Sequence, residues 1–354
     1  MKRNKVLSII LVLVLLLTTG CGSDNYIKDA KGKVVINETT GQNLQKDIYC
    51  KPSKDTEAYK LYEKYEDQLE VKLNKLPECE DFKVNSVKNN SLWQFLFVKP
   101  LAYLILKLGY LLESIGFTKS YLGISVMIIG IIIRFIILPF NIKTQKQSKK
   151  LQELAPELQR IERKYANKTD NESIMMKSQE TMALYSKYKV NPLSSCLISL
   201  VQLPLFFAFL QAIYKIPAIY EGEIFGWNLG TTPSVGIFTN HQYSFLILIV
   251  LIVLTTYFSF KYTMRQNKNS AMPGAESQMK TMLIVMTVMI GIASVSLPTA
   301  IALYWIVTYA FIIIQTYVMN LITKKKDAKK VNSKSKKIKE KLKVKEGMKY
   351  GKNK

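Results

Sequence analysis

The stretch MIIGIIIRFIILPFNIKTQKQSKKLQ, residues 127–152, decides the fold. Up to Pro139 it is apolar apart from one charge, Arg134; beyond Pro139 it is polar and basic, with Lys143, Lys146, Lys149 and Lys150. A hydrocarbon core about 30 Å thick is crossed by about 20 apolar residues of helix, so this boundary predicts the end of a membrane span at a basic loop. No period-two alternation of a membrane strand is present, and helices are the other way to satisfy backbone polar groups inside lipid.

Along the rest of the chain the same segregation recurs. The protein has 354 residues, 48% of them hydrophobic, yet carries a net charge of +24, so its apolar and charged residues lie in separate blocks. Five runs reach spanning length: residues 120–140, 193–214, 243–260, 281–297 and 299–322. The expected fold class is an all-α polytopic membrane protein.

Charge sets the orientation. With the N-terminal side outside, residues 141–192 (net +5) and 261–280 (net +3) are cytoplasmic, and residues 215–242 (net −1) are extracellular. The 323–354 tail, with 15 Lys against 3 acids, is cytoplasmic as well. This is the distribution the positive-inside rule requires. It holds only if residues 91–115, apolar but interrupted by Lys99, Pro100, Lys107 and Glu113, do not span. Trp93, Phe97, Leu101, Leu104, Leu108 and Leu111 or Leu112 share one helical face there, so this segment is expected to be an amphipathic helix in the interface.

Residues 141–192 form a long polar insert. Leu151, Leu154, Leu158, Ile161 and Tyr165 recur at three-four spacing, as do Ile174, Met182 and Tyr185 after a turn at residues 167–171. Two amphipathic helices in a cytoplasmic hairpin are expected, with Pro156 kinking or restarting the first. The apolar stripes are expected to form the hairpin's own core, and a docking surface is the other reading.

The N-terminus, MKRNKVLSIILVLVLLLTTGC, has a basic start, a short apolar region and small residues before Cys21, the layout of a signal peptide over residues 1–20. Its end resembles a bacterial lipobox with Cys21 as the lipidation site, although Thr18 stands where leucine is usual. An uncleaved anchor is the alternative. Residues 21–90 read as a small extracellular polar segment without a large core, whose EAYKLYEKYEDQLEVKL portion is an exposed helix. Cys50 and Cys79 both fall in it, facing an oxidising compartment, and whether they pair stays open. His241 has no partner at ligand spacing, so no metal site and no cofactor are expected.

Arg134 lies about 8–13 Å inside the cytoplasmic end of its span at about 1.5 Å per residue. It either snorkels as an interface anchor or faces a water-filled cavity. Gln202 and Thr308 at mid-depth, and Gln315 nearer the cytoplasm, could line one hydrated groove with it. No carboxylate lies within any span, which argues against an ion-coupled transporter. No phosphate loop, Ser-His-Asp arrangement or nucleophile-base pair is present, so an enzyme is not expected.

Four segments taken in order, LWQFLFVKPLAYLI, IIIRFIILPFNIKTQKQSKKLQELAPELQRI, QETMALYSKYKVNPLSSCLISLVQLPLFFAFLQAIY and LPTAIALYWIVTYAFIIIQTYVMN, resemble the YidC/Oxa/Alb family of membrane protein insertases over residues 92–322. Ser195 and Ile198 depart from the glycine and proline frequent in the family. The resemblance implies a five-span core over residues 116–322 with Arg134 in a cytoplasm-open groove. It implies insertion of nascent membrane proteins without nucleotide hydrolysis, with the Sec translocon and the ribosome as partners, and no small-molecule substrate. The lipoprotein-type start resembles versions from Gram-positive bacteria. The basic tail, too charged to fold alone, is either a solvated stop with affinity for anionic lipid or a docking element for ribosomal RNA. A nascent-chain holding or assembly factor without insertion activity, and a small-solute channel, are the rival readings.

Overall fold

The computed structural model describes residues 25–87, 91–191, 194–267 and 275–350. The expected signal peptide and Cys21 lie outside these residues.

The organising helix is α3 (Tyr121–Glu153), numbered after α1 (Glu57–Lys64) and α2 (Lys99–Ser114). Its 33 residues measure about 50 Å, longer than a bilayer core, so the span continues into the polar insert without a break at Pro139. One face buries Leu122, Val126, Ile129, Ile133 and Ile137, then Asn141 and Thr144. Around it stand α6 (Ser194–Tyr214), α9 (Phe245–Asn267), α10 (Ala275–Ser296) and α11 (Thr299–Tyr350). Neighbours run α6, α3, α11, α9, α10. Aromatic rings weld α6 to α11, with Phe209 stacked on Tyr304 at 4.1 Å. Phe135 meets Phe311 edge-on at 5.0 Å between α3 and α11.

Among the described residues four helical stretches are long and apolar enough to cross a membrane: Gln94–Ser114, Tyr121–Glu153, Phe245–Met264 and Thr299–Thr323. Pro204–Tyr214 in α6 and Leu283–Ser296 in α10 are shorter apolar stretches. The first of the four is α2 with the π-turn before it, the segment expected at the interface. Its contacts lie at one end of the bundle throughout. Trp93 Nε1 donates to Gln211 Oε1 at 3.1 Å, one turn from the end of α6. Lys99 faces the Tyr49 ring, which also faces Lys215 just beyond α6. Ser125 donates to the Ile105 carbonyl at 2.5 Å, and Gly109 abuts Leu122 in the first turn of α3. The helix therefore lies across the bundle's end. Phe97, Leu104 and Leu111 of the apolar stripe stay exposed, while Ala102, Ile105, Leu106 and Gly109 are buried on the bundle.

Between α6 and α9 the chain folds over that same end through α7 (Pro217–Glu221), the two-residue strands β3 (Glu223–Ile224) and β4 (Trp227–Asn228), and α8 (Pro233–Phe238). Thr299 donates to the Thr231 carbonyl at 2.8 Å, tying the start of α11 to this loop. We call this the capped end, and the opposite one the hairpin end.

Residues 25–87 correct the expectation of a segment without a sizeable core. Strands β1 (Ile36–Asn37) and β2 (Gln42–Asn43) pair, and Ile27, Val35, Leu44, Ile48, Tyr62, Leu69, Leu73 and Leu76 are buried together. Cys50 and Cys79 form a disulfide. Closing that 29-residue separation removes about 3–4 kcal/mol of chain entropy from the unfolded state. The expected long exposed helix is shorter: α1 is capped by Thr56 and stops at Lys64, because Leu69, Leu73 and Leu76 turn inward from short 3-10 turns. Tyr62, Leu69, Leu73 and Leu76 keep helical spacing through a stretch that is not one helix, and Ile27, Val35, Leu44 and Ile48 share no single period, which is why the sequence hides the core.

The hairpin end holds α4 (Ala155–Lys164) and α5 (Asn171–Lys187). Helix α3 ends at Leu154 and α4 restarts with Pro156 in its first turn, where a missing N–H costs nothing. Leu151, Leu154, Leu158, Ile161 and Tyr165 are buried with Leu184 and Val190. The second stripe needs correction, since Ile174 is 56% and Met182 42% exposed, and Tyr185 is only partly buried. The seam is charged instead: Lys164 pairs with Glu180 at 3.1 Å and Lys177 with Glu162 at 3.9 Å. Ser173 and Leu184 of α5 turn inward, with Leu184 in the apolar cluster, and the Ile174–Met182 stripe is left uncovered.

The basic tail also departs from expectation. It continues α11 as helix to Tyr350. Extending a formed helix needs no nucleation, and lysine and glutamate are good helix formers, so charge that cannot fold alone can still prolong a span.

Candidate functional site

Arg134 sits 13 residues into α3, about 20 Å from the capped end. It is buried at 6% exposure inside the protein itself. Its Nη1 donates to Gln202 Oε1 on α6 at 2.8 Å, and its Nε has no hydrogen-bond partner. Tyr304 and Tyr309 of α11 are its electrostatic neighbours. The Tyr304 hydroxyl lies toward the Gln202 amide but outside hydrogen-bonding geometry. A guanidinium has five donors and no acceptor. Among the described residues no carboxylate pairs with it, so its positive charge is neutralised by nothing in the bundle.

Small side chains make the approach of α3 to α11. A Cβ on Gly130 would meet the Tyr304 ring at 3.0 Å and the Thr308 methyl at 3.5 Å, so glycine lets the two helices close on each other beside the arginine. Thr308 is buried, and its hydroxyl donates to the Trp305 carbonyl one turn back at 3.1 Å. Gln315 is buried two turns further toward the hairpin end, with Oε1 unpartnered. The structure thus brings Arg134 and Gln202 into contact and sets Thr308 beside Gly130 in the turn above. Gln315 stands apart, lower on the same helix.

Further polar atoms lack partners on both sides of this level. Asn141 Oδ1 and Gln147 Oε1 on α3 are buried and unpaired toward the hairpin end, and Thr256 Oγ1 on α9 and Thr287 Oγ1 on α10 are so near mid-depth. Each such atom costs about 1–3 kcal/mol unless water or a ligand satisfies it. Arg134, Asn141 and Gln147 with Gln315 make a descending trail of unmet hydrogen-bonding capacity along α3 and α11. The sequence pattern passes over Tyr304, Tyr309 and Asn141. A signal exists for two of them: Asn141 is seven residues from Arg134 and Tyr304 four from Thr308, intervals that keep one helical face. Among the described residues no group of three His, Cys, Asp or Glu is placed to hold a metal ion.

A family model described as 60Kd inner membrane protein matches residues 114–330. The chain belongs to this family. The match takes in Arg134, Gln202, Thr308 and Gln315 and leaves residues 25–87 outside. Relatives in the family include the membrane protein insertase YidC of Oceanobacillus iheyensis, 34% identical over 233 residues that cover 66% of this chain and 85% of that one. The membrane protein insertase YidC of Alkalihalophilus pseudofirmus is 33% identical over 234 residues, 66% of this chain and 83% of that one. Membrane protein insertase MisCA of Bacillus subtilis is 34% identical over 187 residues, 53% of this chain and 66% of its own. The YidC-type family membership fits the helical, multi-pass membrane architecture.

Proposed function

We propose that the protein is a membrane protein insertase and chaperone, which moves short polar segments of nascent membrane proteins across the bilayer. The observation that carries this reading is Arg134, a buried charge with one amide partner, above a trail of unsatisfied polar atoms that leads toward the hairpin end. Water in that trail makes a hydrophilic groove. A client's acidic leading segment is drawn to Arg134, while Gln202, Thr308 and Gln315 hydrogen-bond its backbone and reduce the cost of desolvation. The client's own apolar span then leaves into lipid, driven by burial worth about 25 cal/mol per Å². No bond is made or broken.

In this reading the hairpin and the basic tail are cytoplasmic, the capped end is outside, and Cys21 carries the lipid. The tail's positive charge suits ribosomal RNA, and the Sec translocon is a further partner in this reading.

The test is protease protection of a small single-span client with an acidic leader, added to liposomes holding the full chain or its Arg134→Ala and Arg134→Lys forms. Protection by the native chain that falls at least about tenfold in Arg134→Ala, and returns in part in Arg134→Lys, supports the groove. Equal protection in all three makes the arginine an anchor. Binding without protection, even by the native chain, makes the protein a holding factor.

A further inference from the structure

Residues 25–87 lie outside the family match, yet they are fastened to the bundle at points spread along the whole loop between α6 and α9. Where the loop begins, Tyr49 donates its N–H to the Lys215 carbonyl at 2.9 Å. The Lys215 ammonium is paired with Asp47 in full burial. Next along, Glu221 accepts from the Ser53 N–H at 2.8 Å, the Ser53 hydroxyl at 2.5 Å and the Thr56 hydroxyl at 3.3 Å. In its middle, Gln42 Nε2 donates to the Gly230 carbonyl at 2.7 Å and the Thr232 N–H to the Thr40 carbonyl at 2.9 Å. Near its far end Asn240 Nδ2 donates to the Thr39 carbonyl at 3.3 Å.

The same loop is what covers the helix ends. Leu229 and Thr231 supply the carbonyls that receive the Ala300 and Thr299 N–H groups of α11, at 2.9 and 3.1 Å. Helix α2 is held too, with Gln94 Nε2 on Asp47 at 3.2 Å and Lys99 Nζ on the Val87 carbonyl at 2.5 Å. Asp47 therefore receives both the loop, through Lys215, and the π-turn that leads into α2, through Gln94. Apolar packing is continuous across the join, since Tyr49, Cys50, Cys79 and Phe82 belong to the same buried cluster as α2, α3, α6 and α11. Gly41 marks how close the approach is: a Cβ there would stand 2.7 Å from both Thr232 Oγ1 and Val235 Cγ2, and its φ of +77° already favours glycine.

We infer that residues 25–87 are a clamp that holds the α6–α9 loop shut over the capped end, so that the polar interior of the bundle opens toward the hairpin end alone. Asp47 and Gly41 are its positioning residues, neither of which touches the arginine site.

The clamp is tested by thiol accessibility in the full chain in liposomes. Ala300→Cys, fully buried beneath the loop, is the reporter, and Tyr243→Cys, 63% exposed, sets the open rate. A membrane-impermeant maleimide is added and its position mapped by peptide mass, with Cys196→Ser as background. Labelling at 300 at least about tenfold slower than at 243, and raised about tenfold or more by Asp47→Asn and by Gly41→Val, supports the clamp. Labelling at 300 as fast as at 243, or labelling unmoved by both substitutions, overturns it. Should both variants fail to fold, amide exchange in the unmodified protein decides. The Thr232, Thr299 and Ala300 amides exchanging slowly and together support one clamped unit, and fast exchange at Thr232 overturns it. None of these readouts depends on insertion, so the failure of either reading leaves the other standing.

Discussion

The two ends of this molecule are built on opposite principles. At the capped end the charged groups meet partners within the protein, Asp47 with Lys215 and Gln94 and Glu221 with Ser53 and Thr56, while Asp47 Oδ1 and the Tyr49 and Tyr220 hydroxyls are left over. From Arg134 to the hairpin end, polar atoms are left over, and an apolar stripe on α5 is left uncovered. The difference teaches that one bundle can pair its buried charges at one end and, deeper inside, keep a buried charge on an amide partner alone.

Substitutions should separate these two economies. The largest effect is expected for Asp47→Leu, which strands the buried Lys215 ammonium; a loss of about 3–5 kcal/mol should lower the unfolding midpoint in detergent. Cys50→Ala with Cys79→Ala should lose about 2–4 kcal/mol, read by the same melt with and without reductant. Arg134→Met should move the other way. Removing a buried charge that has no counter-ion stabilises the bundle by about 1–3 kcal/mol while abolishing client protection, so a melt that falls would break the contrast.

Within the hairpin, Leu184→Ala should cost about 2–3 kcal/mol and Met182→Ala less than about 0.5, since one is buried and the other exposed; amide exchange of α4 reports both. The smallest effect is on pH. The Asp170 carboxylate accepts the Ser173 N–H at 2.8 Å and caps α5, which holds its carboxyl below the usual value. A depressed carboxyl stabilises above its unfolded value near about 4 and loses that contribution as pH falls below it. The protection factor of the Ser173 amide, its exchange rate corrected for intrinsic pH dependence, should therefore fall as pH drops below that value, and Asp170→Asn should flatten the dependence.

Much of the membrane part was legible because lipid imposes one rule. Span length, the basic loops and the polarity of Arg134, Gln202 and Gln315 are visible one residue at a time. Contacts between helices are not: nothing in the run around Gln202 says that it, rather than a neighbour, reaches the guanidinium. The 25–87 unit was illegible for another reason. Its core residues from Ile27 to Ile48 are spaced by turns, and the helical spacing of Tyr62, Leu69, Leu73 and Leu76 announces a helix that is broken into short turns. The α5 stripe misleads in a third way, because helical spacing identifies a face and says nothing about what covers it. The face that turned inward is the one that seats Leu184 in the hairpin's cluster, with Lys164 and Lys177 paired at its edges.

Helix α11 is an uninterrupted rod of 52 residues, about 78 Å long. Its first turn is pinned at the capped end by Thr299, its middle carries Tyr304, Thr308 and Gln315, and its last part stands roughly 40 Å clear of the apolar stretch. One continuous element thus joins the loop over the capped end, the residues beside Arg134 and the basic tail, with no linker between them.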